Sequence, residues 1–287
     1  YALAEYFAAT GNKEALNETI GLFNLMEMHC YDRKNGGYLE ATLRDWSPTE
    51  DLRLSDVDMN EAKSMNAHLH ILEAYTNLYR VWQQKPLKQR LGELIRYFTD
   101  HIIDPETSHL ILFFNEQWEP QSEKVSFGHD IETSWLLCEA AEALGDEALL
   151  EEIRQLALRM AETTLREGLD GDGGLNYERF EDGTVDGGKQ WWPQAEAVVG
   201  FLNAYQLSGE EKFYQAAVNT WRFIDEHLID HTNGEWFHQL RADGSVDQET
   251  HKISEWKGPY HTARTCIEAY RRLDKLKEPE TAPVPGE

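Results

Sequence analysis

Apolar residues recur three and four positions apart along most of the chain, a spacing typical of helices with one buried face. The stretch LLEEIRQLALRMAETTL (149–165) shows the pattern clearly. The same spacing predicts consecutive pairs of helices and then a single one: 1–11 with 12–30, 60–82 with 86–102, 129–144 with 147–167, 190–207 with 210–228, and 259–276. Alanine and leucine are plentiful inside these stretches, whereas glycine and proline lie at their ends. The chain is therefore predicted to be all-α.

Short segments with turn-forming, β-branched and aromatic residues separate the helix pairs and predict β-hairpins or extended loops. These segments are 35–46, 107–120, 170–183 and 232–244. A unit of helix, helix and hairpin loop thus repeats about every sixty residues, which is longer than a tetratricopeptide or ankyrin repeat. The repeat predicts a toroid of helical hairpins, in which inner helices are ringed by outer ones.

The helix count predicts an incomplete ring. Nine helices are predicted, whereas a closed barrel of six hairpins needs twelve, and the chain begins at Tyr1 without a methionine. We therefore expect either that N-terminal helices are absent or that the ring is open. No linker divides the sequence, so residues 1–276 are predicted to form one domain. The Pro- and Glu-rich segment 277–287 is predicted to be disordered.

Composition and charge exclude several classes of partner. The chain has 52 acidic and 27 basic residues and a formal charge of -25, which disfavours nucleic acids and anionic membranes. No stretch resembles a signal peptide or a membrane span. The cysteines, Cys30, Cys138 and Cys266, are far apart, which indicates core packing in a reduced compartment. These observations predict a cytoplasmic protein, with a monomer favoured, that acts on a small molecule.

Polar residues mark the starts of four predicted inner helices: DVDMNEAKSMNAHLH (56–70), GHDIETSW (128–135), KQWWPQAEA (189–197) and EWKGPYHTA (255–263). If these helices run parallel, their starts meet at one rim, where the helix dipoles favour a developing anion. A single histidine on a helix is usually structural. Histidines at comparable places in several units favour a functional role instead.

Helical spacing sorts these residues into faces. Asn66 and His70 are four apart and share a face, whereas His68 lies nearly opposite, so His70 can point into a cavity only if His68 points away. His129 and Glu132 are three apart, so the acid could orient the imidazole or contact a substrate. Trp192 and Glu196 share a face by the same rule.

Several chemistries compete for these residues. The histidines lack metal-site spacing, because HLH (68–70) on a helix splays its imidazoles apart, so no metal is predicted. Nucleophilic catalysis is disfavoured, since GxSxG is absent. Asp130 or Glu132 with Glu196 could hydrolyse a glycoside, although the histidines would then have no task. Proton transfer next to a carbonyl uses histidines, carboxylates and helix dipoles together, and tryptophan faces suit sugar rings.

Four segments resemble cellobiose 2-epimerases of the N-acylglucosamine 2-epimerase superfamily, and the resemblance runs along essentially the whole chain. They are NEAKSMNAHLHILEAY (60–75), SFGHDIETSWLL (126–137), KQWWPQAEAVVGFLNAY (189–205) and EWKGPYHTARTCIEAYRRL (255–273). The resemblance implies an (α/α)6 barrel with short β-hairpin loops on one rim. It also implies interconversion of the C2 epimers at the reducing-end glucose or mannose of a disaccharide, without a metal or nucleotide cofactor.

The resemblance assigns roles residue by residue. It implies that His129 and His261 are acid/base groups on opposite sides of C2 and that His70 stabilises the enediolate. Seven residues would bind hydroxyls, orient imidazoles or line the sugar subsites: Asp58, Asn66, Glu132, Trp135, Trp192, Glu196 and Trp256. Of these, Trp256 is the candidate platform for the second sugar ring.

The resemblance also leaves alternatives open. Family members carry an arginine and a tyrosine on earlier helices, and this chain is expected to begin after them and to cover roughly the C-terminal two thirds of the family's length. An N-acylglucosamine 2-epimerase or an aldose–ketose isomerase of the same superfamily would use similar residues. An inverting glycoside hydrolase and a non-catalytic binding module are alternatives of other classes.

Overall fold

The computed structural model describes residues 1–56 and 58–277. Within this part, nine α-helices form four consecutive pairs and a final single helix: α1 (Ala2–Thr10), α2 (Lys13–His29), α3 (Met65–Val81), α4 (Lys85–Tyr97), α5 (Phe127–Leu144), α6 (Glu147–Glu167), α7 (Trp191–Ser208), α8 (Glu211–Phe223) and α9 (Tyr260–Lys277). Helices α4 and α8 each continue into one π-helical turn, at Phe98–Ile102 and Ile224–Leu228. The predicted all-α class and helix order are confirmed.

Local sequence explains where these helices begin and end. The side chains of Asn12 and Asp146 accept hydrogen bonds from backbone N–H groups in the first turns of α2 and α6. Gly11, Gly145 and Gly209 follow α1, α5 and α7 with positive φ, which glycine adopts without steric cost. In three of the four pairs, a glycine therefore ends the first helix just before the second one begins.

The odd-numbered helices are neighbours in one inner layer. Helix α3 packs against α1 and α5, and α7 packs against α5 and α9, while each even-numbered helix packs on its own hairpin partner. Most residues of α5 and α7 are buried, whereas α4 and α8 have one buried face, as expected for inner and outer helices. The nine helices of residues 1–56 and 58–277 form an open arc of the helical barrel, as the helix count predicts, and not a closed ring of six hairpins.

Glycines allow α5 and α7 to approach closely. A Cβ atom on Gly128 of α5 would lie 2.6 Å from the Trp192 ring, and one on Gly200 of α7 would lie 2.5 Å from Ile131. Such distances are shorter than carbon–carbon contacts allow, so each position requires glycine in this packing. The close contact brings the first turns of α5 and α7 together.

The core consists of two apolar clusters that meet along α5. One cluster lies among α2–α6 and includes Trp135 of α5, and the other lies among α5–α8 and includes Ile131 of the same helix. Helix α5 therefore fixes the position of the two halves of the arc relative to each other. Among the described residues, no helix combines the length and the apolar character needed to cross a bilayer.

Two-residue strands connect the loops at the rim where the inner helices begin. Strand β1 (Lys63–Ser64) pairs with β2 (Phe113–Phe114), β3 (Val125–Ser126) with β4 (Glu178–Arg179), β4 with β5 (Val185–Asp186), and β6 (Lys189–Gln190) with β7 (Gln239–Leu240), all antiparallel. The β4–β5 hairpin was expected from the sequence. The other pairs join a strand just before an inner helix to a loop of the next unit, which local pattern does not show.

A repeated ion pair anchors these loops. Lys63, which is fully buried, lies 2.9 Å from Asp32, and Lys189 lies 3.0 Å from Asp170. In both pairs the aspartate belongs to the loop after an outer helix and the lysine to the strand before the next inner helix. The pairs therefore hold the starts of α3 and α7 against the loops that precede them.

Three expectations need correction. Helix α3 begins at Met65 and not near residue 60, because the Ser64 side chain accepts the Ala67 N–H and caps the helix there. Cys266 is exposed on α9, so the prediction of core packing was wrong for this residue. Lys277 belongs to α9 and not to the predicted tail, and residues 278–287 of that tail lie outside the described residues.

Candidate active site

A cavity of about 880 Å³ opens at the rim where the inner helices begin. Its wall comes from the first turns of α3 and α5, the strands that precede them and the β4–β5 hairpin. The lining includes Asp58, Asn66, Phe113, His129, Tyr177 and Gln190. Three predicted site residues, Asp58, Asn66 and His129, therefore face one cavity.

His129 lies in the first turn of α5, directly after β3. Its Nδ1 is 2.7 Å from the Ser126 hydroxyl, and its ring centroid is 4.5 Å from that of Trp192. Burial, together with the positive charges of His70 and His261, lowers the pKa of His129 to about 3. The imidazole is therefore neutral near neutral pH and can accept a proton.

His261 lies in the first turn of α9 and is tied to a carboxylate. Its Nδ1 is 2.7 Å from Glu196 Oε1. Burial raises the pKa of Glu196, but the charge of Arg264 and the hydrogen bond from His261 outweigh it and lower this pKa to about 2. Because the ionised carboxylate only accepts hydrogen bonds, Nδ1 of His261 carries the hydrogen and Nε2 remains for other partners.

The Trp192 ring lies next to the imidazoles of both His129 and His261. Its ring centroid lies 4.5 Å from that of His129 and 5.7 Å from that of His261. Within residues 1–56 and 58–277, no protein atom forms a hydrogen bond to Nε2 of either histidine. Both imidazoles therefore lie beside the same indole, although His261 and Trp192 are not among the residues that line the cavity of His129.

His70 and His68 point to opposite sides of α3, as their spacing predicts. His68 is fully buried, with Nδ1 2.7 Å from the Ser64 carbonyl oxygen and Nε2 accepting the Tyr38 N–H at 2.9 Å, so its role is structural. His70 lies 3.5 Å from Glu73 through Nδ1. Burial lowers the pKa of His70, but Glu73 outweighs burial and the pKa is raised.

One buried guanidinium joins the carboxylates behind the histidines. Arg264 Nη2 donates to Glu132 at 2.8 Å and to Glu196 at 2.7 Å, and Nη1 donates to Glu73. Glu132 is also 4.0 Å from Nδ1 of His261, whereas His129 bonds to Ser126 instead. Glu132 therefore contacts α9, whereas His129 is oriented by Ser126; orienting His129 was one of the two roles considered for Glu132.

The geometry also resembles part of a metal site. Ligand atoms of Glu132, Glu196 and His261 all lie within 4.8 Å of one another. Arg264 already donates to Oε1 of both carboxylates, so the guanidinium takes the position next to these oxygens that a cation would need. The guanidinium thus supplies the positive charge beside these carboxylates.

Comparison with known proteins identifies the family. The N-acylglucosamine 2-epimerase (GlcNAc 2-epimerase) family profile matches residues 1–265. The chain belongs to this family. It is 48% identical over 269 residues to a cellobiose 2-epimerase from Bacteroides fragilis, covering 93% of this chain and 68% of that protein. The resemblance seen in the sequence is therefore confirmed.

Two further relatives show how the similarity is distributed. The structure of cellobiose 2-epimerase from Spirochaeta thermophila superposes with a TM-score of 0.90 at 42% identity, covering 97% of this chain and 69% of that one. A D-mannose isomerase from Marinomonas mediterranea is 25% identical, covering 88% of this chain and 64% of that protein. The helical-barrel fold is shared, and this chain spans about two thirds of these relatives' length.

The tryptophans expected from the family occupy three different environments. Trp192 lies beside both histidines, as described above. Trp135 is 3% exposed and donates its indole N–H to Glu196 at 3.0 Å, so it helps to hold the carboxylate of Glu196 in place. Trp256 is 56% exposed in the loop before α9, and its backbone N–H donates to Ser254. A role for Trp256 as a platform for the second sugar stays a prediction.

Sequence reasoning missed three residues of the site, and helical spacing could have found two of them. Arg264 follows His261 by three residues and Glu73 follows His70 by three, so each shares a face with a predicted histidine. Tyr260 donates its hydroxyl to Glu73 and is the third missed residue. A partner for Glu73 on α9, far along the chain, could be recognised only in the folded protein.

Proposed function

We propose that this protein interconverts the C2 epimers of the reducing-end glucose or mannose in β-1,4-linked disaccharides such as cellobiose. The observation that carries the proposal is the arrangement of His129 and His261 at Trp192. In each histidine Nδ1 is held by a neighbouring side chain, which leaves Nε2 for the substrate. The sequence identity to cellobiose 2-epimerases supports the choice of substrate.

The proposed reaction moves one proton between carbon and nitrogen. In the open-chain aldehyde one imidazole removes the proton from C2, and the C–H electron pair becomes part of a cis-enediolate whose charge rests on the C1 oxygen. The other histidine, as imidazolium, then delivers a proton to the opposite face of C2. The electrons return to the C1 carbonyl, so the product has the substrate's composition and opposite configuration at C2.

The surrounding groups match the needs of each step. His129 is neutral and can take a proton, and ionised Glu196 stabilises an imidazolium on His261. His70, whose pKa is raised, can donate to an enediolate oxygen. Asn66 and Asp58 line the cavity and can bind hydroxyl groups, and the Trp192 ring packs against His129.

Proton NMR of cellobiose in heavy water tests the proposal. The wild-type protein should exchange the C2 hydrogen for deuterium and produce a mannose-type reducing end. His129→Ala and His261→Ala should each abolish exchange while the circular dichroism spectrum stays unchanged, because each removes one proton carrier. His231→Ala, which changes an exposed histidine, serves as the control.

Other outcomes would change the assignment. A ketose product would indicate that the enediolate is protonated at C1, as in an aldose–ketose isomerase. Release of monosaccharide would indicate a glycoside hydrolase. Exchange that persists in folded His129→Ala or His261→Ala would refute the roles given to these histidines.

A further inference from the structure

Arg264 is the central cation of the site, although it does not line the cavity that holds His129. Its side chain is 7% exposed and lies among the carboxylates of Glu73, Glu132 and Glu196, which are 6% exposed or less. The guanidinium donates to one carboxylate each from α3, α5 and α7. Arg264 therefore links three inner helices to α9.

Aromatic rings fix the plane of the guanidinium. Its central carbon lies 4.3 Å from the Tyr260 ring centroid and 5.0 Å from that of Trp135. Nη1 also donates to the Tyr260 hydroxyl at 2.6 Å, and Trp135 donates to Glu196. A planar fork held in this way directs several hydrogen bonds at once, which the single ammonium of a lysine cannot reproduce.

Two of the carboxylates that Arg264 holds are partners of site histidines. Glu196 accepts from Nδ1 of His261 at 2.7 Å, and Glu73 lies 3.5 Å from Nδ1 of His70. His129 bonds to Ser126 and lies outside this network. A substitution at Arg264 should therefore alter the orientation of His261 and His70. It should leave the hydrogen bond between His129 and Ser126 unchanged.

The three buried carboxylates need a nearby positive charge to stay ionised, and the guanidinium supplies it. Buried carboxylates next to one another cannot all remain ionised without a cation, since both desolvation and like charge raise their pKa. Among the described residues, the other groups within 4.0 Å of these three carboxylates that can carry a positive charge are His70 and His261. The charge of His261 changes during the proposed proton transfer, whereas a guanidinium stays charged throughout.

On these grounds, and resting on the function proposed above, we propose that Arg264 is a positioning residue for the epimerisation. Its guanidinium holds Glu196 and Glu73 in place as ionised acceptors. Glu196 then keeps Nδ1–H of His261 bound and its Nε2 turned toward the substrate, and Glu73 does the same for His70. Arg264 itself does not contact the reacting atoms.

Kinetics of Arg264→Gln and Arg264→Lys test this role. We expect kcat to fall about 100-fold in Arg264→Gln and less in Arg264→Lys, while KM changes by less than about threefold, because the histidines lose their orientation and the sugar contacts remain. The acid limb of the kcat profile should move up by about 1–3 pH units in Arg264→Gln, since Glu196 takes up a proton more easily.

Chemical rescue separates positioning from support of the fold. A cavity of about 390 Å³ is lined by Arg264, Glu73 and Tyr260, so a free guanidinium ion has room to enter after truncation. Guanidinium at low millimolar concentration should raise kcat of Arg264→Ala at least tenfold and leave the wild type unchanged. No rescue in a folded Arg264→Ala protein would overturn the proposal.

Arg272 provides a matched control on the same helix. It is also buried, lies 5.8 Å from the Trp135 ring and donates to Asn203 and Gln206, away from the three carboxylates. Arg272→Gln should lower the melting temperature without moving the pH profile. A pH profile that shifts equally in Arg272→Gln and Arg264→Gln would contradict a specific role for Arg264.

A measurement without substrate keeps this inference distinct from the proposed function. Ring-nitrogen chemical shifts measured by NMR at one pH should change for His261 and His70 in Arg264→Gln, because their hydrogen bonds to Glu196 and Glu73 are disturbed, and should remain the same for His129. Unchanged nitrogen shifts of all three histidines in a folded variant would refute the positioning role. Absence of C2 exchange in the wild type would refute the proposed function instead.

Discussion

The buried carboxylate of Glu196 accepts hydrogen bonds from three different side chains. It accepts hydrogen bonds from His261 at 2.7 Å, Arg264 at 2.7 Å and Trp135 at 3.0 Å, and it is fully buried. The ionised form suits all three donors because a carboxylate offers several lone pairs. Glu196 therefore accepts both the Nδ1–H of His261 and an N–H of Arg264, and the guanidinium charge keeps it ionised to do so.

Glu196→Gln changes the charge and keeps the shape. An amide cannot stabilise an imidazolium as a carboxylate does, so kcat for C2 exchange should fall about 100-fold or more with little change in KM. Steady-state kinetics with cellobiose provide the measurement. Glu211→Gln, at an exposed site on α8, is the isosteric control, and equal kcat values for the two variants would contradict this role for Glu196.

His109 is a buried histidine that the proposed mechanism does not use. Its Nδ1 lies 2.7 Å from Asp130 and its Nε2 lies 3.0 Å from Glu167. Burial lowers the pKa of His109, but the hydrogen bonds and charges of Asp130 and Glu167 outweigh it and raise the pKa. Since Asp130 follows His129 on α5, this bridge fixes the start of the helix that carries the proposed base.

The raised pKa of His109 gives its stability contribution a defined pH dependence. The contribution should be complete below the unfolded-state pKa of about 6.5 and should be lost as the pH rises through the raised folded-state pKa. His109→Gln should lower the free energy of unfolding by about 3 kcal/mol at pH 6 and by less at higher pH. Urea denaturation at several pH values checks this, and a loss that is the same at every pH would contradict it.

The contact between α5 and α7 is the element that assembles the site. Gly128 lies against Trp192 and Pro193 in the first turns of these helices, and Trp192 lies against both histidines. A side chain at position 128 would push the indole toward the imidazoles or separate the helices. The glycine that starts α5 is therefore important for packing as well as for helix entry.

Gly128→Ala should lower both stability and activity. We expect a loss of about 1–3 kcal/mol from overpacking, with kcat reduced because Trp192 moves. Gly21→Ala is the control, since a Cβ there meets no atom within 4 Å on α2 and should stabilise the protein by about 0.5–1 kcal/mol. Thermal melts and C2-exchange rates provide the measurements, and a Gly128→Ala protein as stable and active as the wild type would show that α5 and α7 can separate freely.

At the scale of the whole molecule, a formal charge of -25 opposes compaction. Salt screens this repulsion, because the Debye length falls from about 30 Å at 0.01 M to about 8 Å at 0.15 M. We expect the melting temperature to rise by several degrees over this range of sodium chloride. KM for a neutral disaccharide should stay the same, and a strong salt dependence of KM would point to a charged substrate.

The helical fold follows from information that is local in the sequence. Apolar spacing, the capping residues Asn12 and Asp146 and the terminal glycines fix where helices lie, since each signal acts within a few residues. The same locality explains the error at α3, where the Ser64 cap mattered more than the polar stretch before it. The loop-to-loop strand pairs were not predictable, because they form between distant segments.

The chain's own sequence determined the helix order, the repeating unit and the faces that carry His70, His129 and His261. Only the tertiary structure decided that the Arg264 guanidinium of α9 would contact carboxylates from α3, α5 and α7, and that Trp135 would donate a hydrogen bond to one of them. Helical periodicity tells which residues share a face, but which faces meet depends on packing between segments up to about two hundred residues apart. The charge balance of the site is therefore a property of the folded molecule.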